Sequence, residues 1–339
     1  MAGEGKKSNT ETRRRQILTE LFPTGVPTLW CPVVTHYRAD GSIDVERASA
    51  HLHFLAPHLG GILLPGSTGD GWQQTADEKA ALVASVVPDA RRHGLAVLVG
   101  VLEPALDEMH VSLTELAGSK AFGDVSGIVV CAPRGANVSQ SEIARAFAAI
   151  LDRSFPTVIY QLPQITRNEI SPLTVEDLVS KYPNLLMLKD SSGSDTIARS
   201  GRSFGGVVLV RGAELSYSSW IKPRGPYDGF LLSTANWLAP SLRVLASAAA
   251  RGRDETQLAA RVDRVVAGAF ALVEDFTHGN AFANSAKLMD HVMAHGPQAT
   301  KVAGPRYRSG ATAPADRVEA AVRLLRENGL MPDRGYLAP

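Results

Sequence analysis

Residues 185–194 read Leu185-Leu186-Met187-Leu188-Lys189-Asp190-Ser191-Ser192-Gly193-Ser194. Four consecutive apolar side chains, then a charge and a small polar turn, fit a strand buried on both faces that delivers Lys189 to its C-terminal end. At the edge of a dry interior the charged ammonium loses its hydration, so its pKa falls. Only the neutral amine can attack a carbonyl to form a Schiff base. Lys189 is therefore the candidate nucleophile. An isolated lysine after an apolar run more often carries its charge out to solvent, so the surrounding chain has to decide.

Working outward, five strand-like runs precede this one, at 28–37, 61–65, 96–102, 127–131 and 157–162, and two follow, at 207–212 and 229–234. Helical patterns lie between them, at 45–58, 106–121, 174–181 and 240–251. Two more helices open with capping boxes, Thr75 with Glu78 and Ser139 with Glu142, whose side chains satisfy the first free amides of the helix. Eight strands alternating with helices favour closure into a (β/α)8 TIM barrel over an open doubly wound sheet. No Gly-x-Gly-x-x-Gly follows the first strand, which argues against dinucleotide binding. The barrel is expected over 23–253. Before it, a polar stretch to about Thr10 is expected to be disordered, and Arg13, Arg14 and Arg15 lead into a short helix from Gln16 to Phe22, ended by Pro23 and Gly25. After it, 254–339 reads as a C-terminal helical extension, with helices at 257–276, 281–295 and 315–328.

Composition narrows the function classes. Lys and Arg number 35 against 34 Asp and Glu, so there is no electrostatic footprint for nucleic acid or an acidic membrane surface. No run approaches a membrane span, and the N-terminus lacks the apolar middle of a signal peptide, so a cytoplasmic location is expected. The two cysteines, Cys31 and Cys131, lie in apolar strand-like runs and read as buried, reduced thiols, giving neither a disulfide nor a zinc site.

In a (β/α)8 barrel chemistry gathers on the loops that follow the strands. After the second strand comes Gly66-Ser67-Thr68-Gly69-Asp70, a turn whose backbone amides and two hydroxyls suit a carboxylate or phosphate. The fifth strand ends on Tyr160, a phenol placed to pass a proton, although a strand tyrosine is more often a core aromatic tied by one hydrogen bond. Lys189 ends the sixth strand and Gly212 the seventh, and Leu231 to Thr234 line the eighth. Together they set an anion cradle, a phenol and an amine on one rim.

The succession G-S-T-G-D, Y-Q-L-P, L-K-D-S-S-G and G-F-L-L-S-T-A-N, with G-S-I-D at 41–44, resembles the dihydrodipicolinate synthase and N-acetylneuraminate lyase superfamily of Schiff-base barrels. The resemblance runs from about Thr28 into the C-terminal helices. It implies a class I mechanism with neither cofactor nor metal: a 2-oxo acid condenses with the lysine, and the imine acts as an electron sink for a bond one carbon further along. It assigns Lys189 as the Schiff-base lysine, Tyr160 as proton relay, and Ser67 and Thr68 as carboxylate ligands. Gly212 and Leu231 supply pocket backbone, and a homotetramer built from dimers is implied.

The chain departs from that pattern in four places. Arg134 and Gly135 stand where the synthase branch has two tyrosines, one of them a relay shared between subunits, and Ile165 stands where that branch has a carboxylate-binding arginine. Both changes argue against lysine-pathway synthase activity. Arg134 offers a planar fork to a second carboxylate or to sugar hydroxyls, against the plainer reading of a solvated loop arginine. His36 replaces a usual proline near the end of the first strand and could face the pocket, although a lone histidine at a strand end is more often a structural hydrogen-bonder. Asp70 fits a loop brace, and Trp72 either shapes the pocket or packs on a neighbouring subunit. Three functions follow: an aldolase or lyase of 2-oxo acids such as 2-keto-3-deoxy acids, a deoxy-sugar-acid dehydratase working through the same imine, and a non-catalytic keto-acid-binding barrel.

Overall fold

The structure, a computed structural model, describes residues 2–253, 255–273 and 280–338. Eight short parallel strands pair in chain order and close: β1 (Leu29–Pro32), β2 (Gly61–Leu64), β3 (Ala96–Val101), β4 (Gly127–Cys131), β5 (Thr157–Gln161), β6 (Leu185–Asp190), β7 (Val208–Arg211) and β8 (Gly229–Leu231). β8 returns to β1 through the Leu29–Phe230 and Trp30–Leu231 pairs. The helices are α1 (Ala2–Leu21), α2 (Val45–Leu55), α3 (Ala76–Arg92), α4 (Leu106–Ala117), α5 (Gln140–Leu151), α6 (Pro163–Thr166), α7 (Pro172–Lys181), α8 (Thr196–Arg199), α9 (Tyr217–Trp220), α10 (Ala235–Ala250), α11 (Thr256–Ala271), α12 (Ala281–His295) and α13 (Ala315–Glu327). This is the expected (β/α)8 barrel with C-terminal helices.

Two apolar layers explain why the strands read as unbroken hydrophobic runs. Outward-facing residues such as Ile62, Val99, Ile128, Ile159 and Leu188 pack under the surrounding helices. Inward-facing residues, among them Trp30, Leu63, Leu98, Val129, Val158, Met187 and Val210, fill the lumen. Both expected capping boxes form, at the starts of α3 and α5.

At the N-terminus the structure departs from expectation. In place of a disordered stretch and a short helix, α1 runs unbroken from Ala2 to Leu21. Its second half is docked: Leu18 and Phe22 join the lumen cluster, with Phe22 edge-on to Trp30. Arg14 is fully buried and donates to the carbonyls of Leu185, Gly205, Val179 and Tyr182. Once that half is nucleated, each earlier residue can add a helical hydrogen bond without a new nucleation cost, and this tertiary anchor is what a polar composition hides.

The first strand is also shorter than expected. It ends at Pro32, and the Val34 amide donates to the Asn236 side chain instead of to a neighbouring strand. Residues 33–37 thereby become the loop that carries His36. Elsewhere α4 stops at Ala117 before a 3-10 turn, and α11 ends at Ala271; the expected continuation of that helix to Phe276 lies partly outside the described residues.

Candidate active site

Lys189 is 3% exposed at the C-terminal end of β6, paired in register with Tyr160 of β5 on one side and Val210 of β7 on the other. Its Nζ lies 3.9 Å from the centroid of the Tyr160 ring. Burial is the main reason its pKa falls to about 7, against the opposing pull of Cys131, Glu214 and Cys31. The amine therefore points into the barrel mouth, and the solvent-exposed reading of the Leu-Leu-Met-Leu-Lys run does not hold.

A cavity of about 190 Å³ opens over this amine, lined by Ser67, Thr68, Tyr160, Leu162, Gln164, Lys189, Ser191, Gly212, Glu214, Leu231 and Ser233. Six residues from five strand ends, Ser67, Thr68, Tyr160, Lys189, Gly212 and Leu231, thus meet as the sequence indicates. Tyr160 is fully enclosed, so its phenol pKa is raised, with a hydrogen bond to Ser191 opposing the shift. At neutral pH it is a protonated donor beside the amine.

The Ser67–Asp70 turn is held from outside so that its inner face stays free. The amides of Gly69 and Gly71 both donate to the Gly66 carbonyl, whereas those of Ser67 and Thr68 have no acceptor among the described residues. A Cβ on Gly69 would sit 2.7 Å from the Val33 carbonyl oxygen, so only glycine lets the two loops approach. Asp70 adopts a positive φ of 60°, which aspartate tolerates, and accepts from Tyr37 at 3.1 Å and from the buried Lys287 at 2.5 Å. Asp70 is thus the loop brace expected of it, with a lysine partner that its position in the sequence does not reveal.

On the opposite wall Gly212 has no room for a side chain. A Cβ there would meet Ser191 Oγ at 2.1 Å, Lys189 Cε at 2.7 Å and the Leu231 carbonyl at 3.3 Å. Behind it the turn after Lys189 is tied down, because Asp190 accepts from the Ser192 amide and hydroxyl, and Tyr227 donates to both Asp190 and Asp195. Arg211 grips Asp195 with two donors.

Sequence reading missed Glu214. It follows β7 in Gly212-Ala213-Glu214 and accepts from the hydroxyls of Ser233 and Thr234, each at 2.6 Å, and from Tyr217 at 2.8 Å. Its place three residues beyond a barrel strand was the available signal. Also missed was the roof. Phe270 and Phe282, from the C-terminal helices, pack edge to face with centroids 5.4 Å apart and line the cavity, and Asn280 donates to the Ser67 carbonyl.

Two candidates lie elsewhere. His36 does not enter the Lys189 cavity: its loop leaves the sheet at Pro32 and turns the imidazole beneath α12, where Nε2 lies 3.2 Å from His51 Nδ1. Arg134 is exposed and stacks on Trp72, its guanidinium carbon 4.7 Å from the ring centroid. It lines a neighbouring groove with Gly135, Gln164, Ile165 and Arg167. Gln164 is shared between that groove and the cavity. Cys31 and Cys131 are buried free thiols, and burial raises both pKa values.

A profile of the Dihydrodipicolinate synthetase family matches residues 27–272. The 4-hydroxy-tetrahydrodipicolinate synthase 1 of Streptomyces coelicolor is 32% identical over 162 residues, which cover 47% of this chain and 51% of that protein. YagE of Escherichia coli, named a candidate 2-dehydro-3-deoxy-D-gluconate aldolase, is 27% identical over 171 residues, 50% of this chain and 55% of that protein. The chain thus spans about half the length of these curated relatives. The solved structure of YagE in complex with pyruvate superposes with a TM-score of 0.70 at 21% identity, covering 89% of this chain and 98% of that one, and so shares the fold. No described helix is long and apolar enough to cross a membrane.

Proposed function

The chain belongs to the dihydrodipicolinate synthetase family, and from that premise we propose that it is a Schiff-base lyase that cleaves or condenses 2-keto-3-deoxy acids with pyruvate as the constant product or partner. The observation that carries this reading is the Lys189 amine, buried over the Tyr160 ring and brought close to neutrality, in one cavity with the free amides of the Ser67–Thr68 turn.

In the proposed sequence the substrate carboxylate sits on the Ser67 and Thr68 amides and hydroxyls, which places its C2 carbonyl at Lys189. The neutral amine adds to C2, and its lost proton passes by way of Tyr160 to the carbonyl oxygen. That oxygen leaves as water when Tyr160 donates a second proton, giving the protonated imine. The Tyr160 phenolate left by that step takes the proton of the C4 hydroxyl, so the C3–C4 bond breaks with its electron pair moving to the imine nitrogen, an aldehyde departs and an enamine remains. Protonation at C3 and hydrolysis release pyruvate and restore the amine. Glu214, Ser233 and Gln164 line the side of the cavity where the hydroxyls of the longer substrate would lie.

The test is borohydride reduction in the presence of pyruvate, followed by peptide mapping, with product analysis on 2-keto-3-deoxy acids. An adduct on Lys189 and release of pyruvate support the proposal. A dehydrated keto acid in place of pyruvate would favour the dehydratase, and no adduct with any 2-oxo acid would favour a binding protein. Since the amine must be neutral to attack, the second-order rate of imine formation is expected to fall about tenfold per pH unit below a midpoint near 7 and to level above it. A stopped-flow pH profile checks this; a rate still climbing at pH 9 would refute it.

Arg134 stands beyond Gln164, outside the cavity. Arg134→Ala is therefore expected to leave trapping by pyruvate unchanged and to raise KM about tenfold only for substrates long enough to carry an anionic end past Gln164, the effect of one charge-assisted hydrogen bond. Michaelis constants for substrates of graded length decide it.

A further inference from the structure

A second cavity, of about 310 Å³, lies beneath the C-terminal helices, between the loop after β1, α12 and the 303–312 segment. This is the volume of a small-molecule site. It shares no lining residue with the Lys189 cavity. Most of its charges are already matched: Lys287 with Asp70, Arg47 with Asp290, and Asp44 with Arg38. Arg306 is the exception. Half-buried on the cavity wall, it has no carboxylate or hydrogen-bond partner for its side chain among the described residues, so the cavity keeps one unmatched positive charge.

The tautomers of the two histidines can be read from their partners. His51 Nε2 lies 2.8 Å from the Asn236 carbonyl and 3.2 Å from Asp290 Oδ1, both acceptors, so it carries the hydrogen. Burial holds both imidazoles neutral. His51 Nδ1 is therefore a bare lone pair that accepts from His36 Nε2, which leaves His36 Nδ1 as a second bare lone pair. His36 is only 8% exposed and lines the cavity, and its Nδ1 has no partner among the described residues, nor is it an enclosed unsatisfied atom. Asp290 is committed within this chain of bonds, accepting from Arg47, Tyr336 and His51. The cavity thus offers an anchored acceptor and an unmatched guanidinium.

We propose that this cavity is a second ligand site for a small hydroxycarboxylate monoanion, its carboxylate on Arg306 and its hydroxyl donating to His36 Nδ1. Charge selects a monoanion, and the lone pair selects a ligand with a donor. A plain carboxylate would leave the imidazole nitrogen unpaired, and a neutral polyol would leave the guanidinium unpaired. Either loss is costly in a buried site.

The test is calorimetric titration of the full chain with D-glycerate and with propionate, which lacks the hydroxyl. Glycerate is expected to bind at one site at least tenfold more tightly than propionate. Arg306→Gln is expected to weaken glycerate at least tenfold, and Lys189→Met to leave it unchanged. The Arg306 side chain makes no hydrogen bond or ion pair among the described residues, so its variant is expected to fold whatever becomes of His36. His36→Phe, where circular dichroism shows it folded, should bring glycerate down to the propionate level. Absence of glycerate binding would overturn the proposal, as would equal affinity for propionate. So would a titration abolished by Lys189→Met and untouched by Arg306→Gln, which would assign the ligand to the Lys189 cavity.

Discussion

Lys189→Met is expected to lose the borohydride-trapped pyruvate adduct completely, to drop turnover by about 10⁴-fold or more, and yet to make the protein more stable. The gain follows from the buried amine. Its folded pKa of about 7 lies below the ordinary lysine value of 10.5, so between these pH values the unfolded chain binds a proton that the folded chain does not. Stability then rises with pH across that window, and below about pH 7 the penalty for holding the amine in the lumen is at its full size. Methionine fills similar space without a charge to desolvate, which should return on the order of 2–4 kcal/mol at pH 7. Denaturant melts of both proteins at pH 7 and pH 10 measure it: the difference should shrink at the higher pH. A variant less stable than wild type at pH 7 would mean that the amine is not desolvated, and with it the account of the nucleophile would fail.

Gly212→Ala is expected to be nearly as damaging to catalysis, though it removes no functional group. The new methyl would meet the Ser191 hydroxyl at 2.1 Å and Lys189 Cε at 2.7 Å, separations at which one of them must move. Ser191 can rotate, but Lys189 is confined by β5 and β7 on either side. Displacing a nucleophile by about 1 Å costs on the order of 10²-fold in rate, while overpacking costs about 1–3 kcal/mol of stability. The two effects are separable, since a folded variant with a slow yet still trappable imine is the expected result. Rates within threefold of wild type in a folded Gly212→Ala protein would show that the wall yields and does not position the lysine.

The adverse locations of two sequence candidates carry a common lesson. His36 and Arg134 both follow barrel strands, as active-site residues do, and both have chemistry that suits a sugar acid. What sends them elsewhere is the path of the loop. Asn236, two hundred residues away in sequence, takes the Val34 amide and ends the strand early, and Trp72 offers a flat face that holds the Arg134 guanidinium outside the cavity. Neither partner is adjacent in the sequence, so neither leaves a local signal. Glu214 shows the converse, a residue in a legible position whose role is set by hydroxyls on Ser233, Thr234 and Tyr217.

The sequence by itself determined the barrel and the core of its site. Burial on both faces of a parallel sheet imprints unbroken apolar runs, and strand ends mark where Lys189, Tyr160, Gly212 and Leu231 emerge, so their meeting follows from the repeat alone. Only the tertiary structure decided the full-length α1 helix anchored by Arg14, the Phe270 and Phe282 roof, the Asp70–Lys287 pair and the separate cavity around His36. Each of these is a contact between distant segments in which a polar or aromatic group is buried because a partner satisfies it. Such pairings leave no periodicity in the chain from which they could be read.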